Sequence, residues 1–93
     1  MNTRQRLPNR RAHVSFTFEH EGLRYHASAS RFASGQVAEV FLTTNKAGSA
    51  VQSNAETAAI LASLCLQNGV PAETIIRSVG GAIGKALELA EAP

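Results

Sequence analysis

His13-Val14-Ser15-Phe16-Thr17-Phe18-Glu19-His20-Glu21-Gly22-Leu23-Arg24-Tyr25-His26-Ala27-Ser28-Ala29 changes character at every residue, with one interruption. Val14, Phe16 and Phe18 fall on one side, and Ser15, Thr17 and Glu19 on the other. Because side chains alternate across a strand, this is the pattern of a strand with one covered face. Glu21-Gly22 supplies turn residues, and Leu23, Tyr25, Ala27 and Ala29 then alternate against Arg24, His26, Ser28 and Ser30, so the pair reads as a β-hairpin. Ala33-Ser34-Gly35-Gln36 is a second turn signal, and Val37 to Thr43 is rich in β-branched and aromatic residues. Ala38, Val40 and Leu42 share one side of that third strand, and Val37 and Phe41 are expected on the other. The expectation is a three-stranded antiparallel meander over residues 13–44.

From Ser49 the period lengthens. Val51, Ala55, Ala58, Ala59, Ala62, Cys65 and Leu66 recur at three- and four-residue spacings, and Leu61 and Leu64 widen the stripe, which predicts an amphipathic helix of about five turns. Ser49 with Gln52 three residues on fits a capping box, in which each side chain bonds the other's backbone amide. Asn68-Gly69 ends that helix, and Val70-Pro71-Ala72-Glu73 begins a short second one. Gly80-Gly81 breaks it, and Ala82 to Ala90 aligns Ile83, Ala86, Leu87 and Ala90 as a third. The fold class is α+β: three strands, then one long and one or two short helices packed on one sheet face. The long helix is expected to cross that face. The other face stays uncovered, which points to a homodimer or higher homo-oligomer.

With 93 residues, 44% apolar and 5% aromatic, the chain is sized for one domain with a small aliphatic core. No apolar run approaches the ~20 residues of a membrane span, and a single cysteine provides no disulfide framework. A soluble, cytoplasmic protein is the reading. The net charge of +2 is uneven: Arg4, Arg6, Arg10 and Arg11 stand in the first eleven residues without an acid, while five bases face seven acids in the remainder. Residues 1–12 read as a flexible basic leader and 13–93 as the domain. Such an arm can neutralise phosphates on nucleic acid or dock on a partner.

Chemical equipment is sparse. Cys65 lies on the apolar stripe and is expected to be a buried structural thiol. His13, His20 and His26 do not match a zinc spacing, so neither a metal nor another cofactor is expected. No nucleophile elbow, dinucleotide fingerprint or phosphate-binding Walker loop is present. One segment carries binding potential: Thr43-Thr44-Asn45-Lys46-Ala47-Gly48-Ser49 joins a strand to a helix N-terminus, where first-turn amides attract anions. Asn45, Lys46, Gly48 and Ser49 are the candidate anion-binding residues.

Gly35-Gln36-Val37-Ala38-Glu39-Val40-Phe41-Leu42, then Lys46-Ala47-Gly48-Ser49, then Ala62-Ser63-Leu64-Cys65-Leu66-Gln67-Asn68-Gly69-Val70-Pro71-Ala72-Glu73-Thr74-Ile75, resembles the TSCPD-domain family. That domain is found near the C-terminus of adenosylcobalamin-dependent (class II) ribonucleotide reductases and as short stand-alone bacterial proteins. The likeness covers residues 13–90. The Thr-Ser-Cys-Pro-Asp box that names the family is missing, and Gly81-Ala82-Ile83-Gly84-Lys85-Ala86-Leu87 stands in the C-terminal part instead. A thiol or metal role tied to that box therefore does not carry over. Nor does reductase chemistry, which needs a radical-bearing cysteine and a reducing thiol pair where this chain has Cys65 alone.

The resemblance implies a non-catalytic accessory or regulatory module that binds a partner protein, such as a ribonucleotide reductase or another nucleotide-metabolism protein, or a phosphate-bearing ligand. The alternative is a small nucleic-acid-binding protein using the arginine arm and the sheet. Phe16 and Phe18 count against it, because they belong to the side the helix is expected to cover.

Overall fold

The computed structural model describes residues 12–92. The strands β1 (His13–His20), β2 (Leu23–Arg31) and β3 (Val37–Thr44) form one antiparallel sheet in the order β1-β2-β3. The helices α1 (Ala50–Gln67), α2 (Ala72–Val79) and α3 (Gly81–Glu91) follow. The meander, the hairpin and the three helices thus form where the sequence pattern puts them. Four of the predicted site residues, Arg4, Arg6, Arg10 and Arg11, lie outside the described residues.

The first hairpin closes on His20 opposite Leu23, with Glu21 and Gly22 at φ 52° and 77°. Two consecutive left-handed residues make a type I′ turn, whose twist matches that of the strands it joins. The register sets Phe16 beside Ala27 and Phe18 beside Tyr25, and the Phe18 and Tyr25 rings stack at 5.4 Å. The Phe16, Phe18 and Tyr25 side chains pack toward the helices.

β3 departs from the expected alternation. Ser30 pairs with Glu39 but Arg31 pairs with Val37, so β3 carries one extra residue at this point, a β-bulge. The bulge switches Val37 to the helix side, and Val37, Ala38, Val40 and Leu42 are all buried. Phe41 keeps its predicted place on the open face.

The long helix does not cross the sheet. α1 lies along β3, and α3 reaches all three strands, with Ala86 and Leu87 fully enclosed. The buried residues of α1 are Ala55, Ala59, Ala62, Ser63, Leu66 and Gln67. At 3.6 residues per turn these occupy an arc that is rotated away from the apolar stripe. Val51, Leu61 and Cys65, which belong to the stripe, are exposed. The expected burial of Cys65 is therefore wrong.

The cause is the outer edge of β3. Ser63 Oγ accepts from the Val40 N–H at 3.0 Å and donates to the Val40 carbonyl at 3.0 Å. Gln67 Nε2 donates to the Ala38 carbonyl at 3.3 Å, and Gln52 Oε1 accepts from the Thr44 N–H at 3.0 Å. A strand edge buried against a helix leaves unpaired backbone groups, and each costs about 1–3 kcal/mol unless bonded. The polar row of α1 supplies the missing partners, so the helix turns that row inward and lets part of its apolar stripe face water.

Ser63→Ala should lower stability by about 1–3 kcal/mol in urea unfolding, because it strands both backbone groups of a buried residue. Ser53→Ala, on the exposed side of the same helix, should change it by less than about 0.5 kcal/mol.

Candidate functional site

Beyond the row that meets β3, α1 presents Ile60 and Leu64, four residues apart and therefore stacked on one face. Phe41, an odd-numbered residue of β3, projects from the open side of the sheet next to them. The three are 59%, 39% and 47% exposed. Together with Val40, Leu42 and Ala59 they line a groove of about 380 Å³ between β3 and α1. Glu39 and Glu56 stand on its two sides. Glu56 is oriented by Gln52, whose Nε2 donates to its carboxylate at 3.0 Å. An apolar groove between acids fits a partner segment with an apolar anchor and basic neighbours.

The loop from β3 to α1 closes one end of this region. Lys46 N–H donates to Thr44 Oγ1 at 3.2 Å, and Thr44 Oγ1–H donates to Gln52 Oε1 at 3.1 Å. Ser49 caps α1: its Oγ accepts from the Gln52 N–H at 3.1 Å and donates to the Lys46 carbonyl at 2.6 Å. The predicted capping box is only half formed, since the Gln52 side chain goes to Thr44 and Glu56 and not back to Ser49. β3's edge outcompetes the box for that amide. Gly48, at φ 77°, makes the left-handed step that leads into the cap.

Of the four residues predicted to hold an anion, Ser49 is thus occupied as a cap and Gly48 serves the turn. Asn45 Oδ1 accepts from His26 Nε2 at 2.7 Å, which ties the loop to the open sheet face. Lys46 remains exposed at the loop's outer side. The structure does bring the four together at the helix N-terminus, but it commits most of their polar atoms to holding the loop. Ile60 and Leu64 were missed as site residues. Their signal was an apolar pair at i, i+4, of which Leu64 alone was counted with the predicted stripe, as one of the residues that widen it.

The open sheet face is mostly hydroxylic. Ser15, Thr17, Ser28 and Thr43 surround His26 and Phe41 in a shallow depression. His13 and Phe41 meet across the central strand with ring centroids 6.3 Å apart. Ser30, which pairs with His13 on one side and Glu39 on the other, is 1% exposed, and its Oγ has no hydrogen-bond partner among the described residues. Among the described residues no group of three or more His, Cys, Asp or Glu comes together.

A family model described as TSCPD domain matches residues 4–88. The chain belongs to the TSCPD domain family. The matched span takes in Arg4, Arg6, Arg10 and Arg11 as well as the groove and the loop. No solved structure matches the chain. Among the described residues no helix is long and apolar enough to cross a membrane. For a TSCPD domain of this sequence, the sole cysteine is a surface thiol on α1.

Native protein should therefore react with one equivalent of a thiol reagent such as Ellman's reagent, at a rate within about tenfold of that in denaturant. Protection by several orders of magnitude would mean that Cys65 is enclosed.

Proposed function

We propose that this TSCPD domain is a non-catalytic accessory or regulatory module of ribonucleotide reduction, and that it works by binding a partner protein in the β3–α1 groove. The partner would be an adenosylcobalamin-dependent ribonucleotide reductase or another protein of nucleotide metabolism. The observation that carries the reading is the apolar lip of Phe41, Ile60 and Leu64, left exposed beside a strand edge whose backbone groups are already bonded. Large side chains held in water next to a groove are the usual mark of an interaction surface. Edge-on strand addition at β3 is blocked by α1, so recognition there would run through side chains. Family membership supplies the connection to reductases, and a single cysteine cannot provide the thiol pair that ribonucleotide reduction consumes.

A phosphate-bearing ligand at Lys46 is a second reading. It is favoured by the absence of any acid in the first turn of α1, where the amides of Ala50 and Val51 have no intrahelical acceptor. The geometry gives it less support than the groove, because Ser49 and Asn45 are already engaged. Nucleic-acid binding on the sheet has less again: Phe16, Phe18 and Tyr25 face the helices, and Phe41 is the one Phe or Tyr on the open side among the described residues.

Calorimetric titration of the purified domain into the class II reductase of the same organism tests the proposal. Binding is expected, with Ile60→Asp weakening it at least about tenfold and Lys46→Ala leaving it nearly unchanged. No heat with wild-type protein, or equal affinity for Ile60→Asp, would reject the groove. A chain lacking residues 1–11 that binds more tightly than the full chain would show that the domain's own leader competes for the groove.

A further inference from the structure

The two edges of the sheet are treated differently. β3 is bulged and its outward backbone groups are bonded by Gln52, Ser63 and Gln67. β1, an eight-residue strand without proline or lysine, has none of these protections among the described residues. Its hydrogen-bond direction follows from the register. Val40 turns its N–H and carbonyl away from β2, so the even-numbered residues of β3 face outward. Strand alternation then directs the odd-numbered residues of β2 toward β1, where they bond Val14, Phe16, Phe18 and His20. His13, Ser15, Thr17 and Glu19 therefore point their N–H and carbonyl groups outward. Below this edge, on the helix side, Val14, Phe16 and Leu89 line a second groove of about 900 Å³, and Val14 is 63% exposed.

We infer that the occupant of this edge is a second copy of the same chain, paired β1 to β1 about a two-fold axis at Phe16 to give a continuous six-stranded sheet. The sequence of β1 is self-complementary in that register. Antiparallel pairing centred on Phe16 sets Ser15 opposite Thr17 and His13 opposite Glu19, and these are the outward-facing residues that hydrogen-bonded pairs require. It sets Val14 opposite Phe18 and Phe16 opposite itself on the helix side, so every apolar side chain meets an apolar one. On the open side a histidine meets a carboxylate that also receives Arg24 at 3.6 Å. Moving the axis to Ser15 shortens the overlap, and moving it to Thr17 keeps the length but sets Val14 opposite His20; either shift breaks the His13–Glu19 match. This surface is separate from the β3–α1 groove, so the inference does not depend on the reductase reading.

Sedimentation equilibrium of the full chain at concentrations on the order of 100 µM is expected to give twice the 9.8 kDa monomer mass. Thr17→Pro removes an outward N–H that no described residue of the monomer uses, and should weaken association about tenfold or more while far-ultraviolet dichroism stays the same. Val14→Lys, at a position exposed in the monomer, should act in the same direction and serves where the proline variant folds poorly. In a Cys65→Ser background, Phe16→Cys should oxidise to a covalent dimer, because residue 16 lies opposite itself only in this register. A monomeric wild type overturns the inference. So does a dimer that Thr17→Pro and Val14→Lys leave intact, or one that Ile60→Asp abolishes. If removal of residues 1–11 converts a monomer into a dimer, the edge belongs to the chain's own N-terminal segment and the inference fails equally.

Discussion

The hydroxyl of Ser63, bonded to both backbone groups of Val40, fixes the relation between sheet and helix on which the remaining contacts depend. With Gln52 and Gln67 it sets the rotation and height of α1 along β3. That rotation decides which residues of the helix are inside. Apolar burial alone would have placed Val51, Leu61 and Cys65 against the sheet. Hydrogen-bond satisfaction of a strand edge outweighs it here, because an unmet buried amide or carbonyl costs about as much as burying an aliphatic side chain contributes.

The same interaction explains the small size of the buried helix face. Ala55, Ala59 and Ala62 let the helix backbone come close to β3, close enough for short polar side chains to reach the strand. α3 then covers the sheet from the other direction through Ile83, Ala86 and Leu87. Arg31 helps to hold it, since its guanidinium donates to the Ala90 carbonyl near the helix C-terminus, where the dipole favours positive charge.

Periodicity made the elements legible, down to the Glu21-Gly22 turn and the Gly80-Gly81 break. It did not reveal their mutual orientation, for identifiable reasons. A period of two cannot announce a bulge, so Val37 was assigned to the wrong side of β3. A hydrophobic stripe does not count backbone donors on a neighbouring strand, so it gives no reason to turn Ser63 and Gln67 inward and it places Cys65 in the core. The candidate site was legible in part. Asn45, Lys46, Gly48 and Ser49 do converge, but a sequence cannot show that Ser49, Asn45 and Gln52 spend their polar atoms on the loop itself. Phe41 was visible as an apolar residue on the wrong face, whereas Ile60 and Leu64 acquire meaning only once the helix has turned.

Ala12, just before β1, and Ala92, just after α3, line the same groove at the β1 edge. The described fold therefore begins and finishes on one side of the sheet. The β3–α1 groove lies at the opposite edge, where the apolar lip of Phe41, Ile60 and Leu64 stands clear of both. The two flanks are thus independent binding surfaces: occupation of the β1 edge costs nothing in access at the other.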